Sequence, residues 1–255
     1  MAWQVGTVTV PHAGWQVANW AIPGPGVWGL SGPNGSGKSQ FLSQLVAWGN
    51  KSHGPRIGLV MQNPRLQLTE ATVWDQMVWP FRKSWRQNLS SVLVAKAEQL
   101  LVDWHLEDYR TAAPFELSGG MQRRLALASM EILSPEVYLL DEPLEGLDHE
   151  HRLLLGTKLG EWANTATVLV ASHSWRWLLV HAEWGWWCDR GLSWGTMGEL
   201  WYRHGPPPES SLEALWRRLL DNGAPVAPAA WVNSDQARSE VIRLCKNRAE
   251  MPFIR

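Results

Sequence analysis

Four short apolar runs, residues 27–30, 57–61, 137–140 and 168–171, show no polar alternation, and each has the length of a strand rather than a helix. A strand that is apolar on both sides must be covered on both faces, the condition of a parallel sheet held between helices. The expected fold class is therefore α/β. Each run also stops at a polar segment able to do chemistry: a glycine-rich loop opening at Gly32, then Gln62, then the pair Asp141 and Glu142, then His173. In an open parallel sheet, ligands bind beyond the carboxyl ends of the strands, so the four segments are expected to converge on one crevice.

The first of these segments is specific. Gly32, Pro33, Asn34, Gly35, Ser36, Gly37, Lys38 and Ser39 fit the pattern G-x-x-x-x-G-K-[ST]; an apolar run precedes them, and Phe41, Leu42, Leu45 and Val46 follow at helical spacing. The residue types suit a nucleotide. Glycines let backbone N–H groups close on phosphates, a helix N-terminus adds positive potential, and Lys38 reaches the β and γ phosphates. Ser39 is expected to offer its hydroxyl to Mg²⁺. Taken alone, the motif still leaves roughly one chance in ten of an ordinary glycine turn beside an exposed lysine.

A second motif narrows the field. Leu117, Ser118, Gly119, Gly120, Met121, Gln122 and Arg123 lie one helix upstream of Val137, Tyr138, Leu139 and Leu140, which end in Asp141, Glu142 and Pro143. This order resembles the ATP-binding-cassette ATPase family over roughly residues 6–202. Gln62, Asn63 and Pro64 with Gln67 and the segment from Thr72 to Asp75, and Glu145 to Asp148, are similar to energy-coupling-factor importer ATPases, which serve vitamins and transition-metal ions.

The resemblance implies a P-loop NTPase of the ABC type. Its parts would be a mainly parallel core sheet, a helical signature subdomain at about 69–134, a trimmed antiparallel β part and a short helical C-terminal extension. The trimming is inferred because only 24 residues separate Lys38 from Gln62. The implied domains are 1–204 and 205–255, the latter with helices near 209–220 and 234–246.

The resemblance also implies roles. ATP and Mg²⁺ would be the ligands, with Asp141 holding Mg²⁺ through water, Gln62 sensing metal and water, Glu142 activating or orienting the attacking water, and His173 reaching the γ phosphate. Ser118, Gly119 and Gly120 would cover the nucleotide of an opposing subunit, and Asp148 would lie at the dimer seam. Gln40 stands where the family commonly has Thr, removing a hydroxyl near the α phosphate. The adenine-stacking aromatic is assigned to Trp15, with His12 as the alternative. Singly, a His after a strand or a lone Gln is more often structural or solvated; matching order and spacing favour the functional reading.

Composition bounds the partners. A net charge of -1 supplies no basic field for nucleic acid, and Cys188 and Cys245 are too few for a disulfide framework or zinc cluster. No stretch approaches the length of a membrane-spanning helix, and the N-terminus lacks a basic region followed by an apolar core. A transport role would need a separate membrane permease, with this chain peripheral on the cytoplasmic face of the membrane. The ATPase dimer would be a homodimer or a heterodimer with a paralogue. An exporter ATPase and a soluble non-transport switch remain as alternatives; against the latter, only 80 residues separate Lys38 from Ser118, leaving no room for a long coiled coil. The 19 Trp against 3 Tyr and 4 Phe are read as replacement of other aromatics, or as partner contacts at Trp74, Trp79 and Trp85.

Overall fold

The computed structural model describes residues 2–51, 54–82 and 89–205. Trp85, Cys245 and the two helices expected beyond 205 lie outside the described residues.

Six strands form the central sheet: β3 (Gly26–Ser31), β4 (Ile57–Val60), β5 (Val137–Asp141), β6 (Thr167–Ala171), β7 (Trp184–Cys188) and β8 (Leu192–Thr196). Their order is β4-β5-β6-β3-β7-β8, every neighbouring pair being parallel except β7 with β8. A separate antiparallel pair, β1 (Trp3–Val10) and β2 (Trp15–Ile22), stands over one face.

The alternation along β5 explains the unbroken apolar runs. Val137 and Leu139 join the core formed with the β1–β2 pair and α1 (Lys38–Lys51), which includes Val10, Trp20, Leu30, Phe41, Leu42 and Leu45. Tyr138 and Leu140 point the other way. They meet α4 (Gly119–Glu131) and α5 (His149–Ala163) through Leu125, Leu127, Leu155 and Leu159. Both sets of side chains leave water, each contributing about 1.5–3 kcal/mol, so neither face tolerates a polar residue.

Helices α2 (Val73–Val78), α3 (Ser91–Asp103) and α4 occupy the segment expected to be helical. Each starts at a side-chain cap: Thr72 accepts from the N–H of Asp75, Ser90 from Leu93 and Ser118 from Met121. Leu89, Leu93, Ala97, Leu100, Leu101 and Trp104, on and beside α3, pack inward. Lys158 of α5 joins this part to the sheet, with its ammonium 2.9 Å from Asp103 and 3.2 Å from Glu131. Beyond it, α6 (Trp175–His181) and α7 (Met197–His204) cover the same face near β7 and β8.

The tryptophans take core positions in several places. Trp15 and Trp20 pack on Phe41, and Trp28, Trp184, Trp186 and Trp194 form a chain of ring contacts across β3, β7 and β8. Trp74 is half-buried under Arg110, whereas Trp79 is exposed.

Candidate functional site

A cleft of about 1220 Å³ opens where β3, β5 and β6 end, lined by Asn34, Gly35, Gly37, Lys38, Ser39, Gln40, Gln62, Asp141, Glu142 and His173 among others. Parallel register brings them together: Leu140 pairs with Val170 and Asp141 with Ala171, so the two strands finish level.

The glycine loop is held from below. Gly37 has φ +98, and a Cβ there would stand 2.6 Å from Val10 Cγ1 and 2.8 Å from Ala13 Cβ, so the loop needs glycine for both conformation and approach. Lys38 is buried, and its ammonium donates to the carbonyls of Gly32 at 2.8 Å and Pro33 at 3.0 Å. The loop's own carbonyls thus keep a buried cation solvated where phosphate oxygens can replace them. Pro33 and Ser36 stand behind the wall rather than on it: the Ser36 carbonyl accepts from the Trp15 indole at 2.8 Å and from the Cys188 thiol at 3.3 Å.

That geometry corrects one expectation. Trp15 is 6% exposed, tilted against Phe41 and bonded beneath the loop, so it presents no ring face to a base. His12 and Ala13 line the cleft instead. His12 is exposed, and its backbone N–H donates to Gln40 Oε1 at 3.2 Å. The side chain that replaced a hydroxyl therefore tethers the turn between β1 and β2.

The carboxylates differ in their surroundings. Asp141 is 5% exposed; burial pushes its carboxyl up, while a hydrogen bond from Ser39 pulls it down. Its Oδ1 is buried with no hydrogen-bond partner, beside the Ser39 hydroxyl. A buried carboxylate oxygen left unsatisfied next to a hydroxyl is the donor set a hard divalent cation takes, so these residues fit Mg²⁺.

Glu142 has φ +47, a left-handed conformation that costs a glutamate about 1–3 kcal/mol. It is held there by partners: its N–H donates to Ala171 O at 2.8 Å, and its carboxylate accepts from Ser172 Oγ and from the His173 N–H, both at 3.0 Å. The His173 ring lies 2.9 Å from the same carboxylate through Nδ1 and is otherwise exposed. The Gln62 side chain reaches towards Glu145, with Nε2 3.5 Å from Oε2.

Ser118, Gly119 and Gly120 are not among the residues that line this cleft. They form the N-terminus of α4, where Ser118 and Gly119 are exposed. Gly120 is packed so closely that a Cβ would stand 2.6 Å from Gly146 O. Asp148 caps α5, accepting from the N–H of His151 at 2.9 Å.

Two arginines on α4 carry contacts that the sequence motif assigned to neither. Arg123, 2% exposed, donates to Met61 O at 2.7 Å, to Gln62 O and to Glu145 O at 3.4 Å. Arg124 donates to the carbonyls of Trp104 and His105 at 2.6 and 2.9 Å. Their signal was available: consecutive charges inside a helix otherwise filled by Leu125, Ala126, Leu127 and Ala128 are rarely buried without fixed partners.

A family model described as ABC transporter matches residues 16–145. The energy-coupling factor transporter ATP-binding protein EcfA2 of Symbiobacterium thermophilum is 31% identical over 60% of this chain, and the match covers 60% of that protein. The nickel import ATP-binding protein LarO of Lactiplantibacillus plantarum is 32% identical over 58% of this chain and 70% of its own length. Among solved structures, cbiO1 from Clostridium perfringens, described as part of the ABC transporter complex cbiONQ, superposes with a TM-score of 0.63. It covers 87% of this chain and 96% of that one at 20% identity, a likeness of fold.

Proposed function

This chain belongs to the ABC transporter family, and on that premise we propose that it is the ATP-binding and hydrolysing subunit of an energy-coupling-factor-type importer. The observation that carries the reading is the division of parts. Lys38, Ser39, Gln62, Asp141, Glu142 and His173 share one cleft, while Ser118 to Gly120 sit at an exposed helix N-terminus outside it. A helix N-terminus with a hydroxyl and glycine N–H groups is an anion cradle, and a second protomer's nucleotide supplies the anion.

In this reading, the loop from Pro33 to Gln40 wraps the phosphates, and Lys38 exchanges its carbonyl partners for the β and γ oxygens. Ser39, Gln62 and, through water, Asp141 would hold Mg²⁺, which would supply positive charge to offset that developing on the transferred phosphoryl group. Glu142, fixed by Ser172 and His173, orients the attacking water and accepts its proton. His173 turns its exposed ring to the γ phosphate, and His12 faces the base. Two protomers close head to tail around two nucleotides, and hydrolysis removes the contacts that hold them.

No helix among the described residues is long and apolar enough to cross a membrane; in this reading the transport path is that of a separate integral membrane permease. The chain docks peripherally on its cytoplasmic side and pairs with a second copy or a paralogue. EcfA2 and LarO, named for energy-coupling factor transport and nickel import, direct the proposal to import of a small nutrient.

The test is Glu142→Gln. Hydrolysis is expected to fall about a thousandfold with ATP binding kept, and size-exclusion chromatography with ATP should show a trapped dimer. An undiminished turnover would remove Glu142 from the reaction.

A further inference from the structure

We propose that Arg123 is a positioning residue: it ties the helix carrying Ser118 to Gly120 to the two segments that set up attack in its own protomer's cleft. Seating this helix on the partner's nucleotide would then align Gln62 and the turn after Glu142. The inference rests on the ATPase reading above and adds to it the route by which one pocket reports to the other.

The geometry is that of a fork. The Arg123 guanidinium donates to the consecutive carbonyls of Met61 and Gln62 and, through Nε, to Glu145 O. The Glu145 carboxylate lies 3.8 Å from Nη2 and 3.5 Å from Gln62 Nε2, closing a ring of contacts around the Gln62 backbone and side chain. The arginine side chain is 3% exposed, so water cannot replace a contact once it is lost. A planar guanidinium can span two backbone segments at once; a lysine ammonium cannot.

The helix is fastened to its other neighbours as firmly. Gly120 lies against Gly146 O, in the turn that also contains Glu145. Gln122 Oε1 accepts from Arg65 Nε at 3.0 Å, three residues beyond Gln62. Arg124, the next residue along, holds the carbonyls just beyond α3. A displacement of α4 therefore carries α3 with it and pulls on the Gln62 segment chiefly through Arg123.

A double-mutant cycle on the full chain, assembled with its partners, separates positioning from general support. Arg123→Met is expected to lower kcat about thirtyfold and to leave KM for ATP within about threefold, and Arg123→Lys about tenfold. Adding Arg123→Met to Gln62→Ala should lower kcat by no more than about fivefold further, because of the two segments it aligns only the turn after Glu142 then remains. Additive losses, or an unchanged kcat in Arg123→Met, would overturn the proposal. If Arg123→Met does not fold, as judged by circular dichroism, the same cycle is run with Arg123→Lys and read by the same criterion. Loss of ATP hydrolysis by the unmutated chain would instead sink the ATPase reading itself.

Discussion

The cleft around Lys38 and the surface at Ser118 are built on opposite plans. In the cleft Lys38 rests on its own loop's carbonyls and Glu142 on Ser172 and His173, while Asp141 lies beside Ser39 with Oδ1 left open. At Ser118 the hydroxyl caps its own helix and Gly119 is bare to solvent. One region is enclosed and internally bonded; the other is an open helix N-terminus, the proposed cradle for a ligand brought by a partner. In the proposed reading, a single protomer binds nucleotide with its own residues, whereas the chemistry needs both regions facing each other.

Disabling the enclosed region should have the larger effect. Lys38→Ala is expected to weaken ATP binding about a hundredfold, measured by calorimetry, because a buried cation aimed at the phosphates is lost. Unchanged affinity would break the comparison at its stronger end. Ser118→Arg places a long side chain in the open cradle, and it should lower hydrolysis about thirtyfold while affinity in the isolated protomer stays within about twofold. A matching fall in affinity would show that Ser118 serves its own cleft. A smaller effect is expected at the base: His12→Ala should weaken ATP binding by about threefold to tenfold. Trp15→Phe should leave affinity nearly unchanged and lower the melting temperature, since that indole supports the loop from within the core.

Much of this was readable from the chain. Strands β3 to β6 announce themselves because burial on both faces leaves an uninterrupted apolar run, and the polar residue that ends each run marks the crevice. The strands flanking them were harder to see. β7 reads Trp184, Gly185, Trp186, Trp187, Cys188, where glycine makes room for Met197 of α7 and the rings pack with neighbours known only once the sheet is assembled. Trp15 misled for a related reason: composition cannot tell an indole that stacks on a base from one that bonds beneath a loop. Arg123 was missed because its partners, Met61, Gln62 and Glu145, are distant in sequence and converge only through α4.

Glu142 carries a cost that natural selection and a laboratory screen would weigh differently. Its backbone sits where glycine or asparagine is at ease and glutamate is not. A campaign that rewarded heat tolerance alone would tend to enrich Glu142→Gly or Glu142→Asn, harvesting sturdier variants that lack the proposed water-orienting carboxylate. Any effort to toughen this molecule for use should hold that position fixed and seek its gains elsewhere.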